Sequence, residues 1–438
     1  MNTIRPFAIG LAVLALTAIT VGSQPSLRDT FNQSIRYTDK VEFPQRIGSR
    51  GDVDRGRRNF GFADDGVTQD PTEALFGGDS VLAGHIEPNG RTCATCHRGE
   101  DGLFLGLPPL PLHSTVPFTD VLFTGLRADV GDDPDGLPNF DNLGLLLHRP
   151  TRLDPTLPHD DPRRQVFLWR KTNRLINTVF GFGFLHEGRG RELVETARGA
   201  VFTHTQNGDL RFDDLTNGLD HSSQRLLDIS AFMEDTIDPP ELAALLDPND
   251  PDYARLVADP FATVPIATHE QSKGSQVFKT FCMDCHNMPN VFGNRDHRDN
   301  PPDNTPPPFG HSFDIGVSQR NLQHLEFRRF DVPTGTRVPI VIPLARQDGQ
   351  LVSYTVVDDI GLAAVTNRYE DLHKFKVPQL RRISQLGPYF HDNSAATLEE
   401  VVDYFNGPLY NSSLDGRDHP IHLSTEQRSA LLAFLRIL

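Results

Sequence analysis

Two short stretches constrain this chain more than anything else in it: Arg91-Thr92-Cys93-Ala94-Thr95-Cys96-His97 and Phe281-Cys282-Met283-Asp284-Cys285-His286. Both contain Cys-x-x-Cys-His, and together they use all four cysteines. Two intervening residues match the separation of the two vinyl groups of a haem, so that each thiol adds across one vinyl group to give a c-type, thioether-linked cofactor. The histidine directly after the second cysteine is carried to the iron by the start of a helix. A lone Cys-x-x-Cys also reads as a redox dithiol or as half of a zinc site. A zinc site, however, needs four converging ligands, and neither pair has a second cysteine pair nearby in sequence. The expectation is two covalent haems, attached through Cys93, Cys96, Cys282 and Cys285, with His97 and His286 as proximal iron ligands.

The chain has 438 residues, enough for two or three domains, and its 35 glycines and 34 prolines imply long loops. Residues 1–6 followed by the apolar run 7–21 and then Gly22-Ser23 read as a secretory signal peptide covering residues 1–23. The apolar run is short for a bilayer span, so no membrane span is expected after cleavage, and the protein is expected in the periplasm. Formal net charge is −16, or −17 without a leader whose only charged side chain is Arg5. That balance argues against nucleic acid and against an anionic membrane surface. It suits transient docking of a small basic electron carrier.

Apolar periodicity and start signals place helices near residues 54–60, 192–202, 223–234, 241–246, 273–278, 398–405 and 425–438. Pro108, Pro109, Pro111 and Pro117 make residues 106–117 an extended loop, and the Asp, Gly and Pro content of residues 127–162 reads as a further loop. Residues 338–345 and 351–357 flank Asp348-Gly349 and predict a β-hairpin. A mainly α chain is expected, with an arm at 24–53, a first haem domain at 54–238, a connector at 239–265 and a second haem domain at 266–438.

The two halves also echo each other. Leu175 lies eleven residues before His186, and Leu380 lies eleven before His391. Lys171-Thr172-Asn173-Arg174-Leu175 corresponds to Lys376-Val377-Pro378-Gln379-Leu380, and Phe184-Leu185-His186-Glu187 to Tyr389-Phe390-His391-Asp392. Two cytochrome c-like haem domains related by duplication, with long loops and a small β-hairpin insertion, are the expected architecture.

With both haem motifs, the stretches Phe375-Lys376-Val377-Pro378-Gln379-Leu380-Arg381, Pro388-Tyr389-Phe390-His391-Asp392 and Ala396-Thr397-Leu398-Glu399-Glu400 resemble the bacterial di-haem cytochrome c peroxidase superfamily, which includes MauG. The resemblance runs from about residue 54 to the C-terminus, apart from the loops. It implies a reactive first haem held by His97 and an electron-transfer haem held by His286. It also implies a small oxidant such as hydrogen peroxide or dioxygen, and a small electron-carrier protein, a basic cytochrome or a cupredoxin, as partner.

On the distal side the chain departs from the peroxidase pattern. His186 stands where those enzymes have a tryptophan, Thr196 where they have a distal glutamine, and Gln206 where they have a glutamate. A glutamine amide cannot take up a proton as that glutamate does, and His204 is a candidate substitute base. His186, Gln206, His204 and His391 are therefore the candidate catalytic positions. His113, sixteen residues after His97, has the spacing of the sixth ligand of the resting first haem. At the second haem the ligand position falls on Phe405, with Tyr404 one residue earlier; Tyr404, His419, His422 or five-coordinate iron remain open. The family often holds calcium between its domains near the Pro388 position, but Lys171 stands at the ligand asparagine, so calcium is not expected. Trp169, the only tryptophan, reads as a packing residue or as a group between the haems. Beside an oxidoreductase, a non-enzymatic di-haem electron carrier and a di-haem oxygenase of the rubber-oxygenase type fit the same residues.

Overall fold

In a computed structural model of the chain, residues 51–61, 89–98, 106–148, 168–181, 183–190, 193–204, 224–294 and 312–438 are described, all within the compact unit formed by residues 40–438. The predicted leader, most of the arm, and Gln206 lie outside them. The described chain is mainly helical, with small two-stranded sheets.

Helix α1 (Val53–Phe60) starts where the Asp52 carboxylate accepts from the Arg55 amide. It is followed by α2 (Cys93–Cys96), α3 (Val121–Thr124), α4 (Arg127–Val130) and α5 (Gly136–Leu143). Strand β1 (Leu145–His148) pairs antiparallel with β2 (Leu168–Lys171), Leu147 facing Trp169 and His148 facing Leu168. Helices α6 (Leu193–His204) and α7 (Gln224–Asp235) complete the first half. Residues 127–162, read above as loop, thus contain α4, α5 and β1. Pro138 is tolerated because it sits in the first turn of α5, where its missing N–H would have had no helical partner. Gly144, at φ +65°, ends that helix in a left-handed conformation that a side chain would resist. The Asp, Gly and Pro residues that mimic a loop are the caps and turns between very short elements.

The second half begins with α8 (Tyr253–Ala258) and α9 (His269–Phe281), the latter started by a Thr268/Gln271 capping box. Strand β3 (Ser312–Phe313) later pairs with β8 (Phe375–Lys376). Between them lie the pairs β4 (Arg329–Asp331) with β5 (Thr336–Val338), and β6 (Val341–Ala345) with β7 (Leu351–Thr355). The β6–β7 turn places Gly349 at φ +81° and closes with Arg346 N–H to Gln350 C=O, 2.9 Å. Helix α10 (Ala363–Thr366) precedes β8, and α11 (Leu398–Asn406), α12 (Pro408–Ser412) and α13 (Thr425–Leu435) close the chain.

Each half is held by one tight helix crossing, and each crossing is centred on a glycine. A Cβ on Gly56 of α1 would lie 1.9 Å from the Asp228 carbonyl oxygen of α7; a Cβ on Gly274 of α9 would lie 2.0 Å from the Ala430 carbonyl oxygen of α13. In both, the next turn of the partner helix presents a phenylalanine, Phe232 or Phe434, to the same glycine. The largest apolar core instead joins the halves, packing Leu146, Leu168 and Trp169 with Ile342, Leu344 and Ile360.

The β6–β7 hairpin is tied to that core by His373. Its Nε2 is 3.0 Å from Asp358 Oδ1 and 3.2 Å from the hydroxyl of Tyr354 on β7. Burial lowers the basicity of His373, but the hydrogen bond and charge of Asp358, with Asp314 and Asp359 behind it, outweigh that and raise its pKa above the usual 6.5.

Gly56→Ala and Gly274→Ala should each destabilise the protein by about 1–3 kcal/mol, the usual cost of forcing an added methyl into a packed contact; thermal unfolding of the holoprotein followed by circular dichroism measures this. A second expectation concerns pH. Because the folded-state pKa of His373 is raised, its contribution is complete below about pH 6.5 and is lost as pH climbs through the raised value. His373→Gln should flatten that loss in stability measured across the window, and an unchanged slope would refute the assignment.

Candidate haem sites

The first motif is fixed from below by Arg91, which is 1% exposed. Its guanidinium donates to the Asp129 carboxylate and to the backbone carbonyls of Leu122 and, at 3.1 Å, Val121. Thr92 and Thr95 cap the single turn of α2, the Thr92 N–H donating to Thr95 Oγ1 at 2.8 Å. Cys93 and Cys96 therefore open and close one rigid turn, with His97 directly after it. None of the four cysteines forms a disulfide, which leaves all four thiols for attachment.

Cys93, Cys96 and His97 line one cavity of about 230 Å³, together with His148, Thr196, Ala200, His204 and Lys376. The chemistry of its walls fits a covalently held haem. Two thiols and an imidazole share one apolar cavity. Burial lowers the pKa of both His97 and His286 to about 4, leaving neutral rings with a lone pair for iron. At the second motif, Nδ1 of His286 is 2.8 Å from the Phe292 carbonyl oxygen. A carbonyl only accepts, so the proton sits on Nδ1 and Nε2 is free to ligate. Among the described residues no three His, Cys, Asp or Glu side chains are grouped to hold a bare metal ion.

His186 and His391 do not line that cavity. They lie where the halves meet, in a crossed pair of contacts: Lys171 N–H donates to the His391 carbonyl at 2.8 Å, and Lys376 N–H donates to the His186 carbonyl at 3.1 Å. The ammonium groups cross in the same sense, Lys171 Nζ to the carbonyls of Leu386 (3.2 Å) and Pro388, and Lys376 Nζ to the carbonyl of Gly183 (2.8 Å). Burial lowers both ammonium pKa values to about 8. Leu185 and Phe390, immediately before the two histidines, both adopt left-handed backbone, φ +70° and +67°. The His186 ring bonds the Lys171 carbonyl through Nε2 at 2.9 Å, and the His391 ring stacks on Phe375 at 4.3 Å.

Beneath these contacts lies a charge cluster that sequence reasoning missed. Arg170 is fully buried and binds Asp359 through two hydrogen bonds (2.6 and 2.7 Å) and Glu187 through a third; Arg189 also binds Glu187. Burial alone would raise the pKa values of both carboxyls, but Arg170 outweighs it and holds them below the usual range.

The remaining sequence candidates are dispersed. His113 is on the surface, its side chain 45% exposed, with Nδ1 2.6 Å from Asp141 and the ring stacked on Phe118. His204, at the end of α6, lies in the first cavity with Nδ1 bonded to the buried Asp129. Tyr404 is buried; its hydroxyl donates to the Ile315 carbonyl, and burial raises its pKa, so the phenol is neutral in this arrangement. Phe405 packs among Phe390, Tyr404 and Tyr410. His419 is 3.6 Å from Asp284 inside the second motif, and His422 is exposed. Trp169 is a core residue, fully buried, with Nε1 on the Glu326 carbonyl. No helix among the described residues is long and apolar enough to cross a membrane.

No protein-family model matches the chain. Among curated proteins, the cytochrome-c peroxidase IdrP2 of Denitromonas iodatirespirans is 37% identical over 81 residues, 18% of this chain and 21% of that protein. The protein of the same name from a Pseudomonas species is 40% identical over 78 residues, 18% of this chain and 20% of that one. The methylamine utilization protein MauG of Methylorubrum extorquens is 39% identical over 67 residues, 15% and 19%. The chain thus matches about a fifth of the length of these relatives. Among solved structures, a MauG-like protein associated with microbial copper homeostasis superposes at a TM-score of 0.45 with 18% identity, covering 91% of this chain and 90% of that one. Over that fifth the chain is similar to cytochrome-c peroxidases and to MauG, and its two Cys-x-x-Cys-His motifs give it two covalently attached c-type haems as cofactors.

Proposed function

We propose that this is an exported, periplasmic di-haem oxidoreductase. Its first haem reacts with peroxide or another small oxidant, and its second relays electrons from a small basic carrier protein. The two haem domains, residues 54–238 and 266–438, are read as products of duplication. Supporting this are the two glycine-centred helix crossings, the crossed lysine contacts and the left-handed residues before His186 and His391, which recur at corresponding positions.

One observation carries the division of labour. Fourteen residues past His186 stands Ala200, which lines the cavity beside His97; fourteen past His391 stands Phe405, in ring contact with Phe390, Tyr404 and Tyr410. Thr196 and Ala197 keep the same face of α6 small, whereas Val401 and Val402 occupy those positions on α11. With haems in place, the shorter side chains on α6 would leave more room beside the first than the aromatic rings around Phe405 would leave beside the second. When bound, the first haem supplies an iron centre able to exchange electrons with such a molecule.

His204 is the acid–base group of this reading. Asp129 is buried, and although burial raises its pKa, Arg91 and His204 outweigh that and keep it a carboxylate. A carboxylate on Nδ1 holds the imidazole proton there and leaves Nε2 to exchange a proton. His204 thereby supplies what Gln206, an amide, cannot.

Electron paramagnetic resonance of the oxidised protein should show one high-spin haem, and reduced protein mixed with hydrogen peroxide should change spectrum rapidly at one haem. Two low-spin haems inert to cyanide and carbon monoxide would instead make the protein an electron carrier. His204→Ala should slow the peroxide reaction by about a hundredfold, within the range of general acid–base catalysis. Asp129→Asn should slow it less and shift its pH profile, a change that stopped-flow rates across pH would reveal.

A further inference from the structure

The cavity beside the first motif carries a charge imbalance. Three cations, Lys171, Arg174 and Lys376, line it, and none of the described residues lining it is Asp or Glu, although the chain as a whole is acidic. The two ammonium groups are taken up by carbonyls of the opposite half. Arg174 is placed differently. It stands three residues past the end of β2, is only partly buried, and borders the cavity. Its Nη1 donates to the Arg381 carbonyl at 2.8 Å. Among the described residues no carboxylate meets the rest of its guanidinium, whereas the buried Arg91 and Arg170 each meet one. Removal from water, with no acid to offset it, pushes the Arg174 guanidinium down to about 9.

A guanidinium held away from bulk water is stabilised by an anion, and its planar fork matches a carboxylate. Cys93, Cys96 and His97 lie on the wall of the same cavity, so the group that enters this space is the haem they hold. The peripheral anionic groups of a haem are its propionates. We propose that Arg174 pairs with a propionate carboxylate of a covalently attached haem. Either cofactor can supply it, because Met288, Gly293 and Asn294, from the segment after His286, share the wall with His97. The pairing rests on the presence of the two haems and not on which of them meets an oxidant. Through it, one guanidinium would tie a cofactor to the backbone of the opposite half at Arg381.

The test compares wild-type protein with Arg174→Gln, which removes the charge and keeps an N–H for the Arg381 carbonyl, and Arg174→Lys, which keeps a charge. Spectroelectrochemical titration gives the midpoint potentials of both haems from about pH 5 to about pH 9. The imidazoles of the cavity, His97, His148 and His204, are common to all three proteins and drop out of the comparison. At the alkaline end, Arg174→Gln should lower the potential of one haem, by about tenfold in its one-electron equilibrium or about 59 mV. As pH falls the freed carboxylate takes up a proton, so this shift should shrink toward zero. The haem that responds is the one whose carboxylate is held. In Arg174→Lys, an ammonium paired with a carboxylate keeps its proton, and both potentials should follow the wild type at every pH. An unpaired one beside Lys171 and Lys376, themselves lowered to about 8, would lose its proton and depart from the wild type at alkaline pH. That departure would overturn the proposal, as would a shift in Arg174→Gln that is absent or constant across pH. If Arg174→Gln does not load both haems, Arg174→Lys decides alone.

Discussion

The crossed hydrogen bonds from Lys171 to His391 and from Lys376 to His186 tie the two halves of this molecule together. The two lysines begin the segments that run past the haem motifs, and each is pinned to a loop of the opposite half. Burying two ammonium groups is unfavourable unless acceptors surround them; here the acceptors are carbonyls of the opposite half, Leu386 and Pro388 for one lysine and Gly183 for the other. The fully buried Arg170 adds the same dependence, since its partners Glu187 and Asp359 come from either side of the connector. Removing any member of that cluster would strand a charge away from water. The halves are therefore coupled by polar groups that must be matched as well as by the shared apolar core.

Lys171 also bears on the cation that the family resemblance raises. The carbonyls of Leu386 and Pro388 are oxygen donors of the kind that bind calcium, yet here they accept from the Lys171 ammonium. The Lys171 ammonium thereby ties down the loop before His391.

What the sequence disclosed followed the range of the interactions. The haem motifs, the helices at 193–204, 224–235, 269–281, 398–406 and 425–435, and the small, polar or aromatic character of the distal positions all depend on neighbours within a few turns, and such patterns survive in a linear reading. The β1–β2 pair was missed because Leu145–His148 is too short to show alternation and its partner lies beyond a long intervening segment. Asp129, Arg170 and Asp359 were missed for a related reason: nothing local separates a buried carboxylate that meets a distant guanidinium from a solvated one. His113 shows the converse. Its spacing matches a ligand position, but spacing does not fix direction, and the Asp141 carboxylate with the Phe118 ring holds the imidazole at the surface.

The asymmetry between the two sites can be traced to a few atoms on one helix face. Helices α6 and α11 occupy corresponding places after His186 and His391. On α6, Thr196, Ala197 and Ala200 are short, and the cavity they line is also bordered by His97, His148 and His204. On α11, Val401, Val402 and Phe405 are larger, and Phe405 is locked among three other rings. An aromatic cluster excludes water and exogenous ligands and lets an iron change oxidation state with little rearrangement around it. Under the proposed function, the shorter side chains at the first site do the reverse and leave a small molecule room beside the iron. One ancestral scaffold, used twice under the proposed duplication, would thus reach two chemistries by exchanging methyl groups for a benzene ring.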